Sequence, residues 1–138
     1  MDSILLLVLT GVLVIAVALF AGIGQLNRKR SGLDQAFYQS QWKKIEGLKT
    51  NGESGWHMAV LEADKLLDHA LKARLVSGET MGDRLKNARG IFMNNDKVWQ
   101  AHKLRNRLAH EHGVQLSATA TDQALRGFKA GLKDLGAL

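Results

Sequence analysis

The sequence predicts an all-α protein with one N-terminal transmembrane helix followed by a bundle of four or five helices. Its 138 residues contain no proline, so every residue has the backbone N–H that helical hydrogen bonds need. Leucine, alanine, lysine and arginine are plentiful, and all four favour helices. The chain also lacks cysteine, which excludes disulfides, thiolate metal sites and a cysteine nucleophile. At this length we expect one domain plus a short additional segment.

The additional segment is an apolar run near the N-terminus. No residue from Ile4 to Gly24 is charged, and the run is 21 residues long. A helix of about 20 residues is long enough to cross the hydrocarbon core of a membrane. A cleaved signal peptide is the alternative, because Ala16-Val17-Ala18 offers small residues in a suitable pattern. However, no cation precedes the run, and the run continues beyond those residues. We therefore predict an anchor over residues 1–30, with residues 4–24 in the membrane.

The charges beside this run predict its orientation. The basic stretch Asn27-Arg28-Lys29-Arg30 follows it, and positive flanks of membrane helices usually lie in the cytoplasm. The expected protein is single-pass in the inner (cytoplasmic) membrane, with residues 31–138 forming a cytoplasmic helical domain.

Helical periodicity recurs through residues 31–138, and turn-forming residues separate its segments. The strongest pattern is an apolar stripe from Trp56 to Val76, which predicts a core helix. The clearest break is Thr50 to Gly55, which contains two glycines. The other expected helices span Leu33–Lys49, Thr80–Arg89, a segment from Asn94, Asn95 or Asp96 to near Gly113, and a last segment that starts at Thr121 or Asp122.

Positive charge is concentrated in the domain. All 19 lysines and arginines lie at or beyond Arg28, against 12 of the 13 acidic residues, which leaves a net charge of 19 − 12 = +7 there. Between Arg84 and Arg107, seven basic residues face only Asp96. Such a surplus suits an anionic partner, either nucleic acid or a membrane surface, although a solvated helix face has the same composition.

The stretch from Lys103 to His112, K-L-R-N-R-L-A-H-E-H, is where this charge could perform chemistry. His110 and His112 are two residues apart and diverge by about 200° on a helix, so they cannot share one metal ion. With no cysteine and no evident third ligand, we predict neither a metal site nor a cofactor. Metal-free cleavage of RNA instead needs an acid, a base and a cation for the phosphate, for which histidine and arginine are suited.

The residues Arg105-Asn106-Arg107-Leu108-Ala109-His110 resemble the signature of HEPN domains (higher eukaryotes and prokaryotes nucleotide-binding), in which an arginine precedes a histidine by a few residues. Ala63 to Leu71 resembles the second core helix of that family, and the resemblance covers Gln35 to Leu138. It implies a metal-independent endoribonuclease of toxin or defence type that leaves 2′,3′-cyclic phosphate ends. It also implies a homodimer whose motifs meet across a two-fold axis, with an antitoxin or another protein as a further partner.

The resemblance implies a role for each residue of the motif. Arg105 would stabilise the phosphate, His110 would act as acid or base, Asn106 would orient them, and Asp64 would join the catalytic site. RNA or a nucleotide would be the ligand. The expected RNA-contacting residues are Lys97, His102, Lys103 and Arg107.

Other interpretations of the same residues stay open. Arg105 could form a structural ion pair with Asp64 or Asp68, and His110 could cap the carbonyls of a helix end. The domain would then be a non-catalytic HEPN-like binding or scaffold module at the membrane, or a purely structural anchor protein.

Overall fold

The computed structural model describes residues 3–138, and it describes the side chains of all of these except residues 22–31. Within this part of the chain every regular element is a helix, which confirms the predicted all-α class. The chain divides into an N-terminal unit that ends at Gly32 and a helical domain, Leu33–Leu138.

Helix α1, Ser3–Ser31, contains the apolar run. Its segment Ser3–Ala21 is 19 residues long and apolar enough to cross a membrane, although a signal sequence near an N-terminus has the same properties. The predicted basic flank, residues 27–30, has side chains that lie outside the described part, as do Met1 and Asp2.

The helical domain contains five α-helices, which agrees with the predicted four or five. They are α2 (Gln35–Leu48), α3 (Gly52–Ala73), α4 (Met81–Asn87), α5 (Asn95–His110) and α6 (Ala118–Asp134), and a short 3₁₀ turn, Lys49–Asn51, joins α2 to α3. Side chains of Asp34, Thr80, Asn94 and Ser117 accept backbone N–H bonds at four helix starts. The core lies between the apolar faces of α2, α3, α5 and α6.

Two helix boundaries differ from the prediction. The break expected at Thr50 to Gly55 is shorter, because α3 already begins at Gly52. Gly55 is buried inside the helix, and a β-carbon there would lie 2.0 Å from the carbonyl oxygen of Leu48. This glycine therefore serves close packing and not a turn. Helix α6 begins at Ala118, before the expected Thr121, because the Ser117 side chain accepts the N–H of Ala120.

An ion pair inside the domain holds α4 against α3. Arg84, only 7% exposed, donates from Nε to Asp68 Oδ1 at 2.6 Å and from Nη1 to the carbonyl of Gly78. Burial alone would raise the pKa of Asp68, but hydrogen bonds from Arg84 and Lys72 outweigh it and hold the pKa below its ordinary value. Asp68 thus forms ion pairs with both Arg84 and Lys72.

The turn that follows α3 contains a strained residue. Leu75 has a φ of 60°, in the left-handed region that glycine usually occupies after a helix, and its side chain is 90% exposed. Replacing Leu75 with glycine should therefore raise the free energy of unfolding by about 0.5–1 kcal/mol. Guanidinium unfolding of the detergent-purified protein, followed by tryptophan fluorescence, would measure the change. Leu75→Ala is the matched control, because it shortens the side chain but keeps the strain; an equal gain from alanine would contradict the explanation.

Candidate functional site

The candidate site is built on a buried carboxylate between α3 and α5. Asp64 is 3% exposed and lies on the inward face of α3 beside Ala63 and Leu67, both fully buried. A carboxylate removed from water in this way is strongly destabilising unless charged or hydrogen-bonding groups compensate it. His102 of α5, itself 5% exposed, supplies one such group, because its Nδ1 lies 2.8 Å from Asp64 Oδ1.

Two further residues of α5 close a ring of contacts. Arg105 Nη1 donates to Asn106 Oδ1 at 3.1 Å, and Asn106 Nδ2 lies 3.2 Å from His102 Nε2. Arg105 Nε lies 3.3 Å from Asp64 Oδ2, which completes the ring. We call Asp64, His102, Arg105 and Asn106 the polar network. Positions 102, 105 and 106 are three and four residues apart, so one side of α5 presents all of them to α3.

The hydrogen bonds of the polar network fix where its protons lie. Arginine can only donate, so Asn106 Oδ1 accepts and the Asn106 amide donates to His102 Nε2. His102 Nε2 is then an acceptor, and the proton on Nδ1 is donated to Asp64. The charge of Asp64 is thus balanced by Arg105, while His102 and Asn106 relay hydrogen bonds between them.

Arg105 and Asn106 are the partly exposed members of the polar network, and 29% of the Arg105 side chain is exposed. Its Nε is at ion-pair distance from Asp64, but the N–H is not directed at the carboxylate and lacks a hydrogen-bond acceptor in the described part of the chain. The contacts of Nε and Nη1 leave Nη2 for another acceptor. A guanidinium fixed on one side and partly exposed on the other can bind an anion with little loss of side-chain entropy.

Three predicted site residues lie on the exposed surface of the same helix. Lys103 and Arg107 are exposed, and Arg107 pairs at 3.5 Å with the equally exposed Glu111. His110 is exposed in the last turn of α5 and forms no hydrogen bond or ion pair with a described residue. It lies about 140° around the helix and about 7.5 Å along it from Arg105, so one subunit does not bring these two side chains together.

Lys97 lies farther away. It is in the first turn of α5, about 20 Å along the helix from His110. There it lines a groove of about 440 Å³ between α5 and α6, together with Arg126 of α6. None of the other residues that were predicted to contact RNA lines this groove.

His102 has a different place from the one expected. The sequence suggested that it lines a groove and contacts RNA, whereas its ring is buried and its two nitrogens lie within hydrogen-bond distance of Asp64 and Asn106. Its spacing indicates the inward position, because His102 is four residues after Val98 and one residue after Ala101, and both of these are apolar. The ion pair between Arg105 and Asp64, one of the open alternatives, is present.

Among the residues that the structure describes, no group of three or more histidine or acidic side chains could hold a metal ion. Comparisons with protein-family models, with curated proteins and with solved structures give no match to this chain.

Proposed function

We propose that this chain is a membrane-anchored, HEPN-like protein that binds RNA on α5 and cleaves it without a metal, leaving 2′,3′-cyclic phosphate ends. The observation that supports this proposal is the partly exposed guanidinium of Arg105, held near Asp64 and Asn106 on a helix whose exposed side carries Lys103, Arg107 and His110. The apolar segment Ser3–Ala21 supports the anchor, with the helical domain on the cytoplasmic side.

Binding would use the phosphate backbone of RNA. Arg105 would donate two N–H groups to one phosphate. Lys103 and Arg107, about 200° around α5 from Arg105, would attract the RNA backbone by their charge. Asp64 would not touch RNA; it would position Arg105 by charge and by the buried hydrogen bonds of the polar network. His102 would be a positioning residue for the same reason.

Cleavage would proceed by attack of the RNA 2′ oxygen on the adjacent phosphorus. A base takes the 2′ proton, an acid gives a proton to the departing 5′ oxygen, and Arg105 stabilises the charge that grows on the phosphate oxygens. His110 would supply the acid or the base. A two-fold dimer would bring His110 of the partner subunit to Arg105, and the two histidines together would provide both proton transfers.

One observation favours a second function, that of a non-catalytic binding module. Arg105 already contacts Asp64 and Asn106, and His110 is distant from it within one subunit. If the chain does not form a two-fold dimer, the same surface would bind RNA or a nucleotide at the membrane without cleaving it.

The test is to incubate the detergent-purified full chain with a mixed RNA in EDTA and to identify product ends by mass spectrometry. Wild type should release 2′,3′-cyclic phosphates, and Arg105→Ala and His110→Ala should each lower the rate by about 100-fold or more. Arg105→Lys should recover little, because lysine lacks the planar fork.

His112→Ala is the matched control, since it removes another exposed histidine two residues away and should leave the rate unchanged. Tryptophan emission would verify that each variant is folded. RNA that binds wild type but stays intact would replace the nuclease proposal with the binding module, and a failure to bind would refute both.

A further inference from the structure

The end of the helical domain that the chain enters from residues 32–34 carries a cluster of exposed apolar side chains. We call it the linker end. Three contacts to the C-terminal turn of α6 define it: Gln35 Nε2 donates to the carbonyl of Gly136, Arg74 Nε donates to the carbonyl of Leu135, and the Met93 N–H donates to Asp134 Oδ2. The start of α2, the end of α3 and the loop before α5 therefore meet at one place.

Three large apolar residues project from the linker end. Met93 is 93% exposed, Leu75 is 90% exposed, and Ile91 is 43% exposed. Leu75 adjoins Arg74, and Ile91 is two residues from Met93, so each lies close to one of the contacts that define this end. Exposed apolar side chains that occur singly need no explanation, but three at one end of a small domain form a surface.

Leu75 adds an independent indication. The free domain would be more stable with glycine at this left-handed position, yet the chain has a large apolar residue there that contacts almost nothing within the domain. Burial of the leucine side chain in an external apolar phase would offset the strain. The strained position thus indicates an apolar contact outside the domain.

The charges beside these residues indicate the kind of contact. Arg89 precedes Ile91 by two residues, Lys133 lies in the last turn of α6, and both are exposed. Neither forms an ion pair with another described residue; the acidic Asp134 at this end accepts the Met93 N–H instead. Apolar side chains flanked by free cations fit the surface of an anionic bilayer, where the former enter the acyl boundary and the latter meet the headgroups.

Two arguments favour lipid over another protein. Three projecting side chains cannot supply the about 800 Å² per partner that a stable protein interface usually buries. In addition, only 13 residues, 22–34, separate the apolar segment Ser3–Ala21 from the first residue of α2. A tether of this length keeps the local concentration of bilayer high, so even weak lipid contacts would be occupied.

We propose that Leu75, Ile91 and Met93 insert into the interfacial layer of an anionic membrane and that Arg89 and Lys133 bind its headgroups. The inference rests on the proposed membrane anchor but not on RNA cleavage. Docking in this orientation would leave His110, at the other end of α5, away from the lipid surface.

The test uses the full chain in vesicles, and the lack of cysteine makes single-cysteine labelling straightforward. A small environment-sensitive fluorophore would be attached to Met93→Cys, with Thr119→Cys as the control, because Thr119 is exposed in the first turn of α6 at the far end of that helix. In vesicles that contain phosphatidylglycerol, the label at position 93 should be quenched by doxyl-labelled lipid and shielded from iodide. The label at position 119 should show the opposite behaviour.

Arg89→Gln and Lys133→Gln should each lower the ratio of docked to undocked domain by about fivefold. Replacing the anionic lipid with neutral lipid should lower this ratio by about the same factor for each of the two cations, because both lose their headgroup partners. A label at position 93 that is open to iodide in protein that floats with the vesicles would overturn the docking proposal alone. Shielding from both quenchers would also overturn it and would indicate that a second copy covers this end. Protein that fails to float would instead refute the anchor on which the inference rests.

Discussion

Replacing Asp64 with alanine is expected to lower the free energy of unfolding by about 3 kcal/mol, because the substitution removes the charge at the centre of a buried network. Asp64 is 3% exposed and has His102 Nδ1 at 2.8 Å and Arg105 Nε at 3.3 Å. Its loss leaves a histidine N–H without an acceptor and a guanidinium without its counter-charge. Since Arg105 is 29% exposed, water screens part of the second loss, which is why the lower end of the usual range applies.

The loss should appear in guanidinium unfolding of the detergent-purified chain, followed by tryptophan fluorescence, since Trp42, Trp56 and Trp99 all lie in the helical domain. Asp64→Asn should cost about half as much, because an amide oxygen can still accept from His102 but carries no charge. In a double-mutant cycle, Asp64→Ala and Arg105→Ala should couple by about 1–2 kcal/mol.

Glu62→Ala is the matched control for Asp64→Ala. Glu62 is on the same helix and pairs with Lys65 at 3.0 Å, but the pair is at the surface, so its removal should cost less than about 0.5 kcal/mol. Equal effects of the two substitutions would show that the polar network does not hold α3 to α5. In that case the polar network would not hold the Arg105 side chain in place for binding an anion.

Replacing Gly127 with alanine is expected to lower the free energy of unfolding by about 2 kcal/mol, because the added methyl group overpacks the contact between α5 and α6. A β-carbon at position 127 would lie 2.6 Å from the carbonyl oxygen of Lys97 and 3.2 Å from Ala101 Cβ. The first of these is a backbone atom, so it cannot move aside by a rotamer change. Helix α5 itself must shift, and the shift would move His102 relative to Asp64.

Gly47→Ala provides a control of opposite sign. Gly47 lies in the last turn of α2, and nothing is within 4 Å of the position that its β-carbon would take. Alanine there should raise the free energy of unfolding by about 0.5 kcal/mol through its helix propensity. Denaturant unfolding of both variants would show whether Gly127→Ala lowers and Gly47→Ala raises the free energy of unfolding. A stabilised Gly127→Ala variant would contradict the close approach of α5 and α6.

These two contacts also bear on the proposed function. The RNA surface of α5 depends on Arg105 being held by Asp64, and α5 is held in place by its packing against α3 and α6. A variant that loosens either contact should weaken RNA binding even where no phosphate-contacting residue is changed. The Glu62→Ala and Gly47→Ala variants are the controls, and both should bind RNA as wild type does.

The sequence by itself determined which segments are helical and where their apolar stripes lie. Local causes decide both: the spacing of apolar residues, the capping side chains at Asp34, Thr80 and Asn94, and the absence of proline. The apolar helix at the N-terminus was evident for the same reason, since length and composition suffice to recognise it. The sequence placed one boundary wrongly because glycine occurs both in turns and at close helix contacts: Gly55 was expected in a break but lies inside α3.

Only the tertiary structure decided the partners within the candidate site. Asp64 and His102 are separated by 38 positions in the sequence, and no local pattern states that one accepts a hydrogen bond from the other. The motif suggested that His110 accompanies Arg105, whereas the packing of α3 against α5 places His102 in that network and leaves His110 in solvent. Helix periodicity depends on neighbours three and four residues apart, but the pairing of buried charges depends on how whole helices pack.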